Sequence, residues 1–273
     1  MLASMWSSYL IELSPEEMAE TLVKYGWKHS EFSDEHGWAL LERGKPEKVG
    51  KEFKEFAEKT GISFPQGHFY LTVNIASPDK AKREKMKDDL KLWCDLFNAM
   101  EIKAGVLHPG SHNPDYEEAF LDELRVEMLE FMLDYSKGAS FTICLENLIL
   151  EYTKAEEILR LIGAARGGER LGICLDTGHL NMNGGSCAEF VKTAGNRLKA
   201  LHITDSIGDH DDHILPFGGG NIDWHATMKA LKEVGYSGAF NFEVPRENKC
   251  PMSVRLAKLE YAKKLADAMI NLQ

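Results

Sequence analysis

The chain has 273 residues, 44% of them hydrophobic, and a formal net charge of −11. That length suits one large α/β domain. The acidic balance argues against a nucleic-acid surface, which needs clustered Lys and Arg, without excluding a local basic groove.

The five cysteines (Cys94, Cys144, Cys174, Cys187 and Cys250) include no C-x-x-C pair. Two of them lie inside apolar runs, so free thiols in a reducing, cytoplasmic compartment are expected. No apolar run approaches the roughly 20 residues of a membrane span, and the N-terminus carries no signal-like segment.

Strand-like runs alternate with helical stretches along the chain. A first strand is predicted over Leu2–Tyr9. The run Ser14-Pro15-Glu16-Glu17 starts a helix, with a capping Ser, Pro at the first helical position and acids in the first turn; that helix ends near Gly26. A strand at His29–Ser33 and a helix at Pro46–Lys59 follow. Next come a third strand with its exit loop at Ser63–Val73 and a long helix at Asp79–Met100. Its Lys-rich part, Lys80–Lys91, is mixed with Glu84, Asp88 and Asp89 and reads as a solvated face. The fourth strand is Ala104–His108, followed by a helix over Pro114–Ser136.

The next four strands each end in a metal-type ligand: Phe141–Glu146, Leu171–Asp176, Leu198–His202 and Ala239–Glu243. Helices are placed near Thr153–Ile162, Cys187–Ala194, Asp223–Val234 and Pro251–Leu272. Eight strand–helix units in one chain, with no linker between them, predict a single closed (β/α)8 TIM barrel spanning residues 1–273. An open doubly wound sheet is the alternative. Such a sheet usually carries a Gly-rich loop after its first strand, and Met5-Trp-Ser-Ser-Tyr9 is not one.

Barrel enzymes build their sites at the C-terminal strand ends. The ligand intervals of 30, 26 and 41 residues each hold a loop, a helix and a strand, so Glu146, Asp176, His202 and Glu243 leave one rim. Buried carboxylates that converge repel one another unless a cation neutralises them. Further rim residues are His68, His108, His179 and the Asp211/His213 pair, as candidate metal or substrate contacts. For His36 and His112 an ordinary hydrogen-bonding role is the better reading. Trp6, Tyr70 and Phe217 could floor a sugar-sized pocket, although aromatic residues at such positions more often simply pack.

Five motifs carry a resemblance over nearly the whole chain: Leu107-His-Pro-Gly-Ser-His112, Leu145-Glu-Asn147, Cys174-Leu-Asp-Thr-Gly-His179, Leu201-His-Ile-Thr-Asp205 and the run from Asp211 to Trp224. Together they resemble the xylose isomerase-like barrel superfamily, which includes sugar isomerases and epimerases and the endonuclease IV branch of DNA repair. The epimerase-like branch implies one divalent ion, often Mn, on Glu146, Asp176, His202 and Glu243. The repair branch implies three zinc ions and five further ligands, His68, His108, His179, Asp211 and His213.

Gly178 stands where the repair branch usually has Cys, the Asp211–Trp224 run is closer to the isomerase form, and the early loops lack the basic and aromatic inserts of a DNA-bending enzyme. The Arg that epimerases usually carry a few residues after the seventh-strand His is absent between Ser206 and His213, which leaves His210 or His213 for that contact.

The resemblance therefore implies a metal-dependent isomerase or epimerase of a ketose or related sugar, phosphorylated or not. Glu146 and Glu243 would be the acid/base pair, with Mn preferred and Zn, Mg or Co compatible. The alternatives are a trinuclear-zinc hydrolase of abasic-site DNA, a sugar lyase or dehydratase, and a non-catalytic sugar-binding barrel. The expected partner is a small sugar rather than nucleic acid or membrane, and self-association into a homo-oligomer is left open.

Overall fold

A computed structural model of the protein describes residues 1–150, 152–244 and 250–272. Eight short strands are all parallel to their neighbours: β1 (Leu2–Trp6), β2 (His29–Phe32), β3 (Ser63–His68), β4 (Ala104–Leu107), β5 (Thr142–Glu146), β6 (Leu171–Asp176), β7 (Leu198–His202) and β8 (Ala239–Phe242). They follow chain order from β1 to β7, and β8 pairs with β1. The remaining gap is closed by a bridge between Ile203 and Phe242, where Ile203 N–H donates to Asn241 O at 2.7 Å and Glu243 N–H donates to Ile203 O at 3.1 Å. The molecule is a (β/α)8 TIM barrel.

Helices α1 (Pro15–Lys24), α2 (Asp34–Leu41), α3 (Pro46–Thr60), α4 (Lys80–Ala99), α5 (Glu118–Tyr135), α6 (Ala155–Ala164), α7 (Thr177–Met182), α8 (Cys187–Ala194), α9 (Trp224–Glu233) and α10 (Met252–Ile270) occupy the connections and the C-terminal end. Their ends follow local chemistry. Ser14 and Glu17 form a reciprocal capping box on α1 with Pro15 at its start, and the carboxylates of Asp79 and Asp223 accept from the first-turn amides of α4 and α9.

Alternation along the strands gives the barrel two environments. Ala104, Val106, Cys144, Cys174 and Ala200 form a small interior cluster, separate from the large apolar layer between strands and helices. Two residues beyond Cys144, Cys174 and Ala200, on the same strand faces, stand Glu146, Asp176 and His202. Small interior side chains thus sit directly beneath the polar rim and leave room for it.

Three expectations are corrected. The first strand ends at Trp6, and Ser7–Leu10 is a 3-10 turn. The helix expected from Pro114 begins at Glu118, because Asn113 closes a turn instead, its carbonyls accepting from Asp115 N and Tyr116 N. Helices α2 and α7 were not anticipated. Gly37, which reads as a helix breaker, is the contact point of α2: a Cβ there would lie 2.1 Å from the Trp93 ring of α4. All five cysteines are free, and no helix among the described residues is long and apolar enough to cross a membrane.

Candidate metal centre

All nine candidate residues converge at the C-terminal mouth, in three groups whose potential ligand atoms lie within 4.8 Å of one another. The central group is Glu146, Asp176, His202 and Glu243. A second is His68, His108 and Glu146, and a third is His179, Asp211 and His213. Glu146 belongs to two groups. Its Oε1 lies 3.1 Å from His202 Nδ1, and its Oε2 lies 3.3 Å from His68 Nε2 and 3.4 Å from His108 Nε2.

Strand register and loop hydrogen bonds set these positions. Asp176 and His202 are direct partners in the β6–β7 ladder. Asn147 locks β5 to β6: its amide donates to Asp176 O at 2.9 Å, and its carbonyl accepts from Asp176 N at 2.7 Å. The Asp176 carboxylate also caps α7 by accepting from His179 N at 2.7 Å, which brings His179 over the centre.

Asp211 and His213 come from the long loop after β7. The base of that loop is clasped by the Asp205 carboxylate, which accepts from Ser206 N, Ile222 N and the Trp224 indole. His213 takes a left-handed backbone conformation (φ 46°) to reach the group.

Four imidazoles each commit one nitrogen to a fixed acceptor and turn the other toward a ligand group. His68 Nδ1 donates to Phe69 O, His179 Nδ1 to Asn147 O, His213 Nδ1 to Glu243 O and His202 Nε2 to the Glu31 carboxylate. A neutral imidazole so held presents a lone pair to its group, which is the tautomer a metal requires.

The residues fit a divalent cation on further grounds. Asp176 Oδ2 is buried with no hydrogen-bond partner. Glu243 Oε2 is likewise without a hydrogen bond, although it lies 2.9 Å from His202 Nδ1. The hydrogen on that nitrogen goes to Glu146 Oε1 at 3.1 Å, so two buried carboxylate oxygens, Asp176 Oδ2 and Glu243 Oε2, lack a donor that a cation would replace.

The electrostatics agree. Burial alone would raise the Glu146 carboxyl, but His202, His108 and His68 hold it well below the usual range. Burial, with Glu243 and Glu146 nearby, pushes Asp176 up to about 6. Against the effect of burial, Asp176 and Asp211 raise His179 to about 11, and Asp211 with Glu243 and Asp176 raises His213 to about 10.

Sequence reasoning missed Glu31. It lies on β2, fully buried, 3.0 Å from His202 Nε2. The available signal was a carboxylate in the middle of an otherwise strand-like run. His36 and His112 serve ordinary contacts: buried His36 bonds Ser7, Ser33 and Leu13 O, and half-exposed His112 lies 3.0 Å from Glu118. Tyr70 packs against Trp38 and Trp93, while Phe217 is exposed beside His225. His210 is exposed on the same loop as Asp211.

Residues 19–272 match the family described as xylose isomerase-like TIM barrel. The chain belongs to that family. An uncharacterised protein, y4fM, of Sinorhizobium fredii (strain NBRC 101917 / NGR234) is 29% identical over 196 residues, covering 71% of this chain and 55% of its own. A probable endonuclease 4 of Staphylococcus aureus (strain JH9) is 30% identical over 169 residues, 57% of this chain and 56% of its own. The chain thus spans a little over half the length of both curated relatives. Among solved structures, a D-tagatose 3-epimerase-like protein superposes with a TM-score of 0.80 at 21% identity, covering 99% of this chain and 98% of that one. At that identity the likeness speaks for the shared fold.

Proposed function

We propose that the protein is a divalent-metal-dependent isomerase or epimerase acting by proton transfer next to the carbonyl of a small sugar. The observation that carries this reading is the position of Glu146 and Glu243. They leave β5 and β8, which are not neighbouring strands, and their carboxylates come within 3.1 and 2.9 Å of one imidazole nitrogen, His202 Nδ1. Glu146, Asp176, His202 and Glu243 would hold the ion, with Mn preferred on an oxygen-rich set carrying one imidazole. Bound there, the ion supplies Lewis-acid polarisation of a carbonyl and an adjacent hydroxyl.

In this reading one glutamate takes the proton from carbon, and the other, protonated beforehand, delivers its own proton to the opposite face, each then re-equilibrating with solvent. His108 and His179 bind substrate hydroxyls, with His68, Asp211 and His213 completing the polar wall. The chemistry of the mouth favours a small substrate. Among the described residues, the loops leaving β3, β4, β6 and β7 carry no Lys or Arg, whereas a duplex held by its phosphates needs several such cations. The test is a ketose panel on metal-loaded protein, scored by loss of the C–H label to solvent. Glu146→Ala is expected to abolish exchange and Glu243→Ala to reduce it severely. Activity above a few per cent in Glu146→Ala would overturn the assignment.

A second reading, a multinuclear zinc hydrolase of abasic-site DNA, draws on a specific observation: Glu146 joins two ligand groups, and a third lies beside them. A carboxylate with one oxygen toward each of two groups suits a two-metal clamp on a phosphoester. About one ion per chain is expected from the first reading, and three zinc ions with cleavage of abasic-site DNA from the second.

A further inference from the structure

Among the described residues, the candidate ligand that hydrogen-bonds the Glu31 side chain is His202. Glu31 belongs to a hydrogen-bonded chain that crosses the barrel interior through four strands. Ser4 Oγ on β1 donates to Asn241 Oδ1 on β8 at 2.9 Å. Asn241 Nδ2 donates to Glu31 Oε2 on β2 at 2.5 Å. Glu31 Oε1 lies 3.0 Å from His202 Nε2 on β7. All four residues are fully buried, so water cannot substitute for any of these bonds.

The chain has a direction. A carboxylate only accepts, so Glu31 draws hydrogens from both sides. The amide nitrogen of Asn241 must face Glu31, which leaves its oxygen for the Ser4 hydroxyl. On the other side, His202 must carry a hydrogen on Nε2. Nδ1 of the ion-free protein also carries one, donated to Glu146 Oε1 at 3.1 Å; once an ion displaces it, the Nε2–H bond to Glu31 leaves Nδ1 as the ligand atom. We propose that Glu31 is a positioning residue whose carboxylate, oriented by Asn241 and Ser4, fixes the tautomer and ring orientation of His202 and thereby sets the metal affinity of the central group. This rests on the reading of that group as a cation site. It adds the control of that site by a residue that touches neither ion nor substrate.

The direction of the chain supplies the test. In Glu31→Gln the side chain keeps its shape but brings its own amide hydrogens. If its oxygen faces His202, its NH2 meets the NH2 of Asn241. If its NH2 faces His202, the imidazole must carry its hydrogen on Nδ1 and loses the lone pair needed by a metal. The added exchange Asn241→Asp removes the conflict. A carboxylate in place of the Asn241 amide accepts both from the NH2 introduced by Glu31→Gln and from Ser4. The introduced amide oxygen can then again accept from His202 Nε2.

Divalent-metal affinity of the full chain is measured with Zn and Mn by competition against a chromogenic chelator, with no substrate present. Glu31→Gln is expected to weaken binding about 10- to 100-fold, the usual effect of removing a partner of a metal-ligating His. The double variant E31Q/N241D is expected to recover most of that loss. Equal affinity in wild type and Glu31→Gln, or a double variant no tighter than the single one, overturns the proposal.

Should Glu31→Gln fail to fold, Ser4→Ala at the far end of the chain is the milder probe. It frees Asn241 to rotate and is expected to weaken binding several-fold, and unchanged affinity there also counts as refutation. Failure of the wild type to bind any divalent ion would instead sink the metal-site reading itself.

Discussion

His179 and His213 each tie Nδ1 to a backbone carbonyl and face Asp211 with Nε2. Without a cation that second nitrogen keeps a proton, because Asp176 and Asp211 stabilise it beside His179, and Asp211 and Glu243 beside His213, against the effect of burial. With the two rings raised to about 11 and about 10, both are charged at neutral pH. A metal can bind there only by displacing those protons. Metal loading near pH 7 is therefore expected to release protons, and affinity is expected to rise with pH. Calorimetry in two buffers of different ionisation enthalpy measures the release. Identical heats in both would show that no ion enters the His179–Asp211–His213 group.

The same scale explains what sequence could show. An acid or a His directly after an apolar run, as at Glu146, Asp176 and His202, has no cheap structural role. Glu31 lacked that signature: it follows Ser30 and precedes Phe32 in a four-residue strand, where a single charge reads as a solvent-facing position. Only barrel closure turns that position inward.

At the scale of elements, the exit loops are held by buried polar anchors more than by the strands. Arg125 on α5 is fully buried. Its Nε donates to Pro109 O in the loop that starts with His108, its Nη1 pairs with Glu118 and Asp122, and its guanidinium lies over the Tyr152 ring at 4.9 Å. One cation thus joins the loops after β4 and β5, which deliver His108 and follow Glu146. Arg125→Met keeps the bulk but removes the donor to Pro109 O, while Asp122 keeps Arg160 and Tyr152. It is expected to cost about 2 kcal/mol, the worth of a buried hydrogen bond from a charged donor, read from a denaturant midpoint. A shift below about 1 kcal/mol, the worth of an exposed pair, would show that the loops hold themselves.

Anchors of this kind are hard to read from sequence, since Arg125 sits in a helix whose pattern demands only amphipathicity. Helix α2 was missed for a related reason: Ser33 makes no side-chain cap, and Gly37 is there for contact with Trp93, not for turn geometry. The eight-unit alternation was legible because each strand and most helices carry their own period and punctuation.

For the whole molecule, the barrel brings Glu31, Glu146, Asp176 and Glu243, four buried acids from β2, β5, β6 and the end of β8, around one imidazole. No single element could tolerate that, and the unfolded chain does not assemble it, so a bound ion stabilises only the folded state. At a free-metal concentration about 100 times the dissociation constant this linkage is worth about 2.7 kcal/mol. For a chain of this size that corresponds to a fall of about 5 °C in Tm when the metal is stripped.

The pH dependence of that loss has a definite sign. In the ion-free protein, burial and the neighbouring Glu243 and Glu146 raise Asp176 from 3.8 to about 6. A carboxyl raised on folding is tolerated while protonated, and its cost grows as pH rises from the unfolded value through the folded one. Proton competition at the histidines also weakens metal binding in acid. Both effects make chelation more damaging at about pH 7.5 than at about pH 5. Thermal melts with and without chelator at the two pH values test this. No Tm loss at either pH would mean that the four acids are balanced by the surrounding imidazoles alone, and an equal loss at both would mean that metal binding is not coupled to protonation of Asp176 and the histidines.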